Sequence, residues 1–339
     1  MQLPQIADTE TGRDVPGSAG APAATLIVRR SPRLGALRWL RLLAADRRAA
    51  LGLCILGFFV LVAIAGPLVF KGDPTASDYN AIRQPPSAAH WFGTDQQGHD
   101  MFLQMVDGTR APLIVGFSVA ICATILAILV GTAAGYIGGW IDEVLSLITN
   151  VFLVIPSLPL VVVISSWIHI NSDAPIIVSL ILTGWAFGAR VLRSQTMSVR
   201  NKDFVMAAQV SGESNWRIIL FEILPNMISI VVSSFIGTAL FAIGIAAAVL
   251  FIGVGNITAI SWFTMLYWAQ SNQVFLTGAW WTFVPPGLAI ALVGTALALI
   301  NFGIDTISNP RLRTEGGKPA RAARTRLAAT PVVGKEPAR

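Results

Sequence analysis

The chain has 339 residues, 54% hydrophobic and only 12% charged, with a formal net charge of +6. A soluble domain carries about 25% charged residues, so this composition excludes an ordinary water-soluble fold and indicates a membrane protein. The positive balance alone would suit nucleic-acid binding, but the basic residues flank apolar runs instead of clustering on a folded unit, which argues against that class.

In chain order, residues 1–28 are rich in Gly, Ala, Pro and Thr without an apolar period and read as a disordered tail. Between 29 and 48, leucines and Trp39 alternate with arginines, which predicts a basic helix lying along the membrane interface. The first apolar run starts too late and is too long for a secretory leader, so it is expected to remain as a span. Roughly 20 apolar residues cross a bilayer core, at about 1.5 Å each. On that measure the charge-free runs predict spans at 49–70, 111–141, 144–168 and 174–189. The run 223–304 contains no Asp, Glu, Lys, Arg or His and is long enough for two more, at about 226–252 and 283–304. A first helix and its following loop then occupy 49–110, a core containing a polar loop at 190–225 occupies 111–309, and a second disordered basic tail occupies 310–339.

Orientation follows from Lys and Arg, which accumulate on cytoplasmic flanks. Arg29 to Arg48 before the first span, Arg190 to Arg217 after the fourth and Arg311 to Arg339 in the tail would share one side. Lys71, Arg83 and Arg110 fall opposite. Both termini and the 190–225 loop are therefore expected in the cytoplasm.

Within the spans, Ala127, Gly131, Gly135 and Gly139 recur every four residues, a spacing that permits close helix approach within the chain or at an interface with another subunit. Pro156 and Pro159 interrupt the third span, as a bend that either lines a pathway or lines nothing. Asn150, Pro156, Ser157, Trp262 and Trp268 are the candidate path residues. Trp262, Tyr267, Trp268, Trp280 and Trp281 suit either a membrane-interface belt and gate or sugar stacking. The spans hold no midplane charge of the kind proton- or sodium-coupled carriers use. His90, His99 and His169 have no zinc-helix spacing, and no nucleophile elbow occurs, so neither a metal site nor a catalytic site is expected. Cys54 and Cys122 fall inside spans and imply no disulfide framework. There is no phosphate-binding Gly-x4-Gly-Lys-Ser/Thr loop, so energy from ATP would come from another chain.

The loop carries the most information. Asp203 is a candidate N-cap for a helix beginning at Phe204, and Ala207, Ala208, Ser211 and Gly212 form one small-residue face. Gly212 permits the left-handed residue that ends a helix, and Ser214 is placed to cap a second one carrying Trp216, Ile218, Ile219 and Phe221. These features alone fit a docking element or a simple amphipathic connection.

The segment resembles the cytoplasmic loop of binding-protein-dependent ABC importer permeases, whose pattern is Glu-Ala-Ala, three residues, Gly, nine residues, then Ile-x-Leu-Pro. Ala207, Ala208, Gly212, Leu224 and Pro225 match, while Met206 stands for the Glu and Glu222 for the Ile. Gly93-Thr94-Asp95-Gln96-Gln97-Gly98-His99-Asp100 is similar to a motif of the dipeptide/oligopeptide C-type permeases, with His99 for Arg. Gly135 to Asp142 and Ile155 to Leu158 continue the likeness over about 38–310. Asp95 and Asp100 alone would also suit a calcium loop, although without EF-hand spacing.

The resemblance implies an all-α integral membrane protein of six transmembrane helices, a type I ABC importer permease fold with both termini cytoplasmic, in the cell membrane. It implies a second homologous permease subunit, two ATP-binding cassette ATPase subunits holding ATP and Mg, and an extracytoplasmic binding protein that delivers peptides or oligosaccharides. This chain would bind no cofactor and catalyse nothing itself. Asp203, Phe204, Ala207, Ala208, Ser211, Gly212, Glu213, Trp216 and Arg217 would couple it to the ATPase. The reading outside this class is an ATP-independent channel or scaffold that docks a soluble partner through 203–226.

Overall fold

The computed structural model describes residues 45–168 and 172–308. The expected tails, most of the interfacial segment and His169 lie outside these residues. Among the described residues the chain is helical, with one isolated antiparallel bridge, Thr94 to Asp100. Among these residues five helices are long and apolar enough to cross a membrane, and a bent pair, taken together as one broken span, would be a sixth.

Helix α1 spans Arg47–Val69 and begins where the Asp46 carboxylate accepts from the Arg48 and Ala49 amides at 2.8 and 3.2 Å. Arg47 and Arg48, assigned from sequence to the interfacial helix, therefore form the first turn of the span. The loop 71–100 is folded by its own carboxylates. The Thr75 hydroxyl and amide donate to Asp73 and hold that carboxyl below its ordinary range. Asp95 accepts from the Gln97 and His99 amides and pairs with His99 Nδ1 at 2.9 Å. Asp100 caps helix α2, Met101–Asp107, with one oxygen and holds His90 Nδ1 at 2.8 Å with the other. Gly93 and Gly98 take φ of +73° and +79°, the left-handed region these turns need.

Helix α3, Arg110–Ile137, packs closely on α6, Ala174–Arg200. A Cβ added at Gly135 would lie 2.7 Å from the Arg193 carbonyl oxygen, and one at Gly131 would lie 2.5 Å from that of Ala189. The stripe Ala127, Gly131, Gly135 is therefore an intrachain seam. Gly139 is not part of it: it opens the next helix at φ +59° with nothing near its missing Cβ. Helix α6 is longer than the span predicted at 174–189, which corrects the sequence reading: Arg190, Arg193 and Arg200 are on the helix, not in a loop. They stay there because each head group finds an acceptor, as set out below.

The third span is not one kinked helix. Helices α4, Gly139–Val154, and α5, Ser157–Trp167, meet at 85°. Proline excludes its predecessor from the helical region, and Ile155 accordingly sits at φ −70°, ψ 123°, with Pro156 extended as well. Beyond α6 come α7, Asp203–Val210, and α8, Asn215–Ile218. A π-helical turn, Ile219–Ile223, then leads towards α9, Ile228–Phe251. After α10, Trp262–Ser271, helix α11, Val284–Ser308, closes the bundle. In space α6 packs on α3, α3 on α9, α9 on α11 and α11 on α1. The helix ends also correct the expectation of charge-free spans, since Asp142, Arg190, Arg193 and Asp305 are all helical.

Lipid tails are as apolar as leucine, so these helices associate through close packing and hydrogen bonds more than through a hydrophobic drive. Gly135→Leu is expected to cost about 1–3 kcal/mol by overpacking and to lower the melting midpoint of the detergent-purified protein. Gly57→Leu, at a position with nothing within 4 Å of an added Cβ, is the control. Equal melting of the two variants would show that the seam is not close-packed.

Candidate functional site

Two regions carry functional geometry. The first is α7 with α8. Helix α7 starts at Asp203 with Lys202 in the capping position and no side-chain cap, so Asp203 is not the N-cap expected from sequence; it lies in the first turn, where a carboxylate still suits the helix dipole. Gly212 has φ +76° and open space around it, and the Glu213 amide reaches back to the Ala208 carbonyl at 3.2 Å, closing the helix. Ser214 does precede α8, but its side chain makes no cap bond.

This element is joined to the bundle by one face only. Val205 is fully buried in a cluster with Leu192, Ile218, Ile219, Ile223 and Met227, and Gln209 Nε2 donates to the Tyr136 hydroxyl at 3.1 Å. Arg200 donates to the last carbonyls of α3, those of Gly135 and Tyr136, at 3.3 and 3.4 Å. The other face is open: Phe204, Met206 (47% exposed), Val210 (90%) and Trp216 form an apolar surface beside the small residues Ala207, Ser211 and Gly212.

The second region is a cavity of about 630 Å³ between the α4–α5 bend, α6, α9 and α11. Ser157, Thr183, Ser233, Thr238, Asn301 and Asp305 supply polar groups, and Phe152 and Phe187 supply aromatic faces. Ser233 Oγ donates to Asn301 Oδ1 at 2.6 Å and lies 3.5 Å from Asp305 Oδ1. Asp305 is the one ionisable residue of the lining.

Residues 102–314 match the family model described as binding-protein-dependent transport system inner membrane component. The chain belongs to this family. Residues 36–86 match a second model, the N-terminal TM domain of oligopeptide transport permease C. The permease is 35% identical over 274 residues to the dipeptide transport system permease protein DppC of Alkalihalophilus pseudofirmus, which covers 80% of this chain and 88% of that one. It is 32% identical to DppC of Bacillus subtilis over 80% and 85% of the two chains. It is 29% identical to the oligopeptide transport system permease protein OppC of Mycobacterium tuberculosis over 87% and 97%. The protein is thus a multi-pass permease component of the cell membrane.

Of the nine residues assigned to docking, Asp203, Phe204, Ala207, Ser211, Gly212, Trp216 and Arg217 are exposed on one element of the permease, while Ala208 and Glu213 are half-buried. The five path residues are not brought together. Ser157 lines the large cavity and Pro156 makes the bend beside it. Asn150 accepts from Arg190 in a separate polar cavity of about 330 Å³. Trp262 is fully buried, edge-on to Phe59 at 5.2 Å, with its Nε1 donating to the Met105 carbonyl. Trp268 lines a third cavity, of about 270 Å³, against the 95–104 loop, and donates to the Ile257 carbonyl.

Sequence reasoning passed over Asp305, Asn301 and the serine and threonine face of α9. A signal for the last was present: Ser229, Ser233, Ser234 and Thr238 follow the one-face spacing of a helix. Met206 and Val210 were likewise left out of the docking set. Val205→Asp, which places a carboxylate in the buried cluster, is expected to expose 201–218 to limited proteolysis, whereas Val210→Asp leaves that segment resistant. Equal resistance in both would contradict the one-faced attachment of α7.

Proposed function

We propose that the permease is half of the translocation path of an ATP-driven importer, with α7 resting on an ATPase subunit. A second homologous permease forms the other half, two ATPase subunits hold ATP and Mg, and an extracytoplasmic binding protein delivers the solute. Both termini and the α7–α8 element face the cytoplasm. The observation that supports this reading is the docking geometry: a short helix fastened to the bundle through Val205 and Tyr136, with Phe204, Met206, Val210 and Trp216 left uncovered. Exposed apolar side chains on an element anchored through its other face are what a soluble partner needs for a central, desolvated contact.

For the solute we propose peptides. The relatives' names point there, and Asp305 supplies the fixed charge that a peptide ammonium terminus would meet in the cavity. Of the tryptophans that suited sugar stacking, Trp262 is fully buried and Trp268 and Trp281 are half-buried, each fixed in place by its indole N–H on a backbone carbonyl.

Phe204→Asp or Val210→Asp, in the complete complex in proteoliposomes, is expected to lower ATP-driven uptake about tenfold or more with unchanged permease content. Wild-type uptake in both variants, or uptake by the unaltered permease without ATPases, would favour an ATP-independent channel. Single cysteines at Ser87 and Phe275 should react with an outside thiol reagent and one at Val210 should not, in a background lacking Cys54 and Cys122. Asp305→Asn should raise the KM for a peptide with a free amino terminus about two- to fivefold, the scale of a solvent-screened charge contact, and leave its N-acetylated form unchanged.

A further inference from the structure

We propose that Arg190 and Arg193 of α6, gripping Asn150 and Asp142 of α4, form a two-point clasp that carries displacement of the docking helix to the bent wall of the cavity. This rests on the coupling role of α7 proposed above.

Helices α6 and α7 are separated by Asn201 and Lys202 alone, and the Lys202 amide donates to the Val199 carbonyl at 3.0 Å. Val205 of α7 and Leu192 of α6 share one buried cluster. Displacement of α7 therefore moves the lower half of α6. Helix α4 is attached differently. Thr149 is its one buried residue, and Trp140, Leu147, Val151 and Val154 face outward. One ring contact, Phe152 against Trp185, joins it to α6 near the bend.

Below that contact α4 is tied to α6 by polar groups, and it also packs on α3. The Arg193 guanidinium forks onto Asp142, Nε to Oδ1 and Nη2 to Oδ2 at 2.5 and 2.7 Å, and Ser146 Oγ donates to the same carboxylate at 3.0 Å. Arg190 Nη2 donates to Asn150 Oδ1 at 2.6 Å. The two arginines are one turn apart, whereas Asp142 and Asn150 are separated by about 12 Å of helix, at 1.5 Å per residue. Long arginine stems span the difference, and their divergence resists both sliding and rotation of α4 on α6. A forked guanidinium–carboxylate pair is directional, which a lysine point charge is not. Two residues past α4 the chain turns at Pro156, and Ser157 enters the cavity wall. The clasp thus lies between α7 and the cavity, and its four side chains neither line that cavity nor belong to the uncovered face of α7, so Asp142 and Arg193 are positioning residues.

The test is the complete complex in proteoliposomes, with peptide uptake and binding-protein-stimulated ATP hydrolysis measured together. Asp142→Asn and Arg193→Lys are each expected to lower uptake per ATP by about 2- to 30-fold, the range of couplings carried through a residue network, while hydrolysis persists. The exchange Asp142→Arg with Arg193→Asp should recover part of the loss. In a further readout, the thiol reactivity of Ser157→Cys should change on ATP binding in the otherwise unaltered permease and not beside Asp142→Asn. Wild-type uptake per ATP in both single variants, parallel loss of hydrolysis and uptake, or an unaltered Ser157→Cys response beside Asp142→Asn would each overturn the clasp. Uptake by the unaltered complex that does not need ATP would overturn the importer reading itself, and is read before any variant.

Discussion

The close approach of α3 and α6 is the contact on which the rest of the permease depends. In a bilayer the apolar surface of one helix has no reason to prefer another helix over lipid, so association requires shape. Gly131 and Gly135 supply it by letting the α6 backbone lie against α3 where a side chain would collide with the Ala189 and Arg193 carbonyls. Everything at the lower end of the bundle is then referenced to this pair. Tyr136 at the end of α3 receives Gln209 of the docking helix, Arg200 of α6 closes the α3 carbonyls, and Val205 enters the cluster beneath both. The same pair holds Thr183 and Gly184 in the cavity wall.

Against that rigid pair, the bend at Pro156 is the place where the architecture gives way. Five long apolar helices and the bent pair were legible from charge-free runs because twenty apolar residues have few other uses. The bend was legible as a kink because proline removes an amide and restricts its predecessor. Its 85° was not, because that angle depends on Ile155 leaving the helix altogether, which the packing of α5 on α6 and α9 permits. The length of α6 was hidden for a related reason. Hydropathy ends a span at the first arginine, but an arginine whose head finds Asn150, Asp142 or a helix terminus can continue the helix.

Residue type misled most where one side chain has two ordinary fates. A tryptophan near a membrane edge reads as belt, gate or core, and only the partner decides. Trp262 makes a T-shaped contact with Phe59 and has a carbonyl for its N–H, which makes it core. Asp203 reads as a cap, yet the chain is already helical at that position and Lys202 occupies the cap. Asp305 follows the end of a charge-free run by one residue and looks like a terminus, until α11 is seen to extend past it. Gly212 was legible as a left-handed helix end, and it takes φ +76°, a requirement that belongs to the local chain and does not wait on tertiary partners.

The docking face follows from the same division between what is internally bound and what is left free. The cations that sequence counting placed in the 190–217 loop are of two kinds. Arg190, Arg193 and Arg200 reach acceptors on α4 and α3, while Lys202 is exposed at the start of α7 and Arg217, exposed on α8, pairs with Glu213 Oε2 at 3.6 Å. On that element Met206 replaces the acid of the family pattern, and Phe204, Val210 and Trp216 are exposed on it as well. An acid there would need a cation across the interface; a methionine needs a shaped apolar hollow and adapts to it through its flexible thioether. On the docking role proposed for this element, specificity would reside in surface shape with a basic edge, and the geometry of the loop, set by Gly212 and the buried Val205, would matter more than the charge the family pattern carries at its first position.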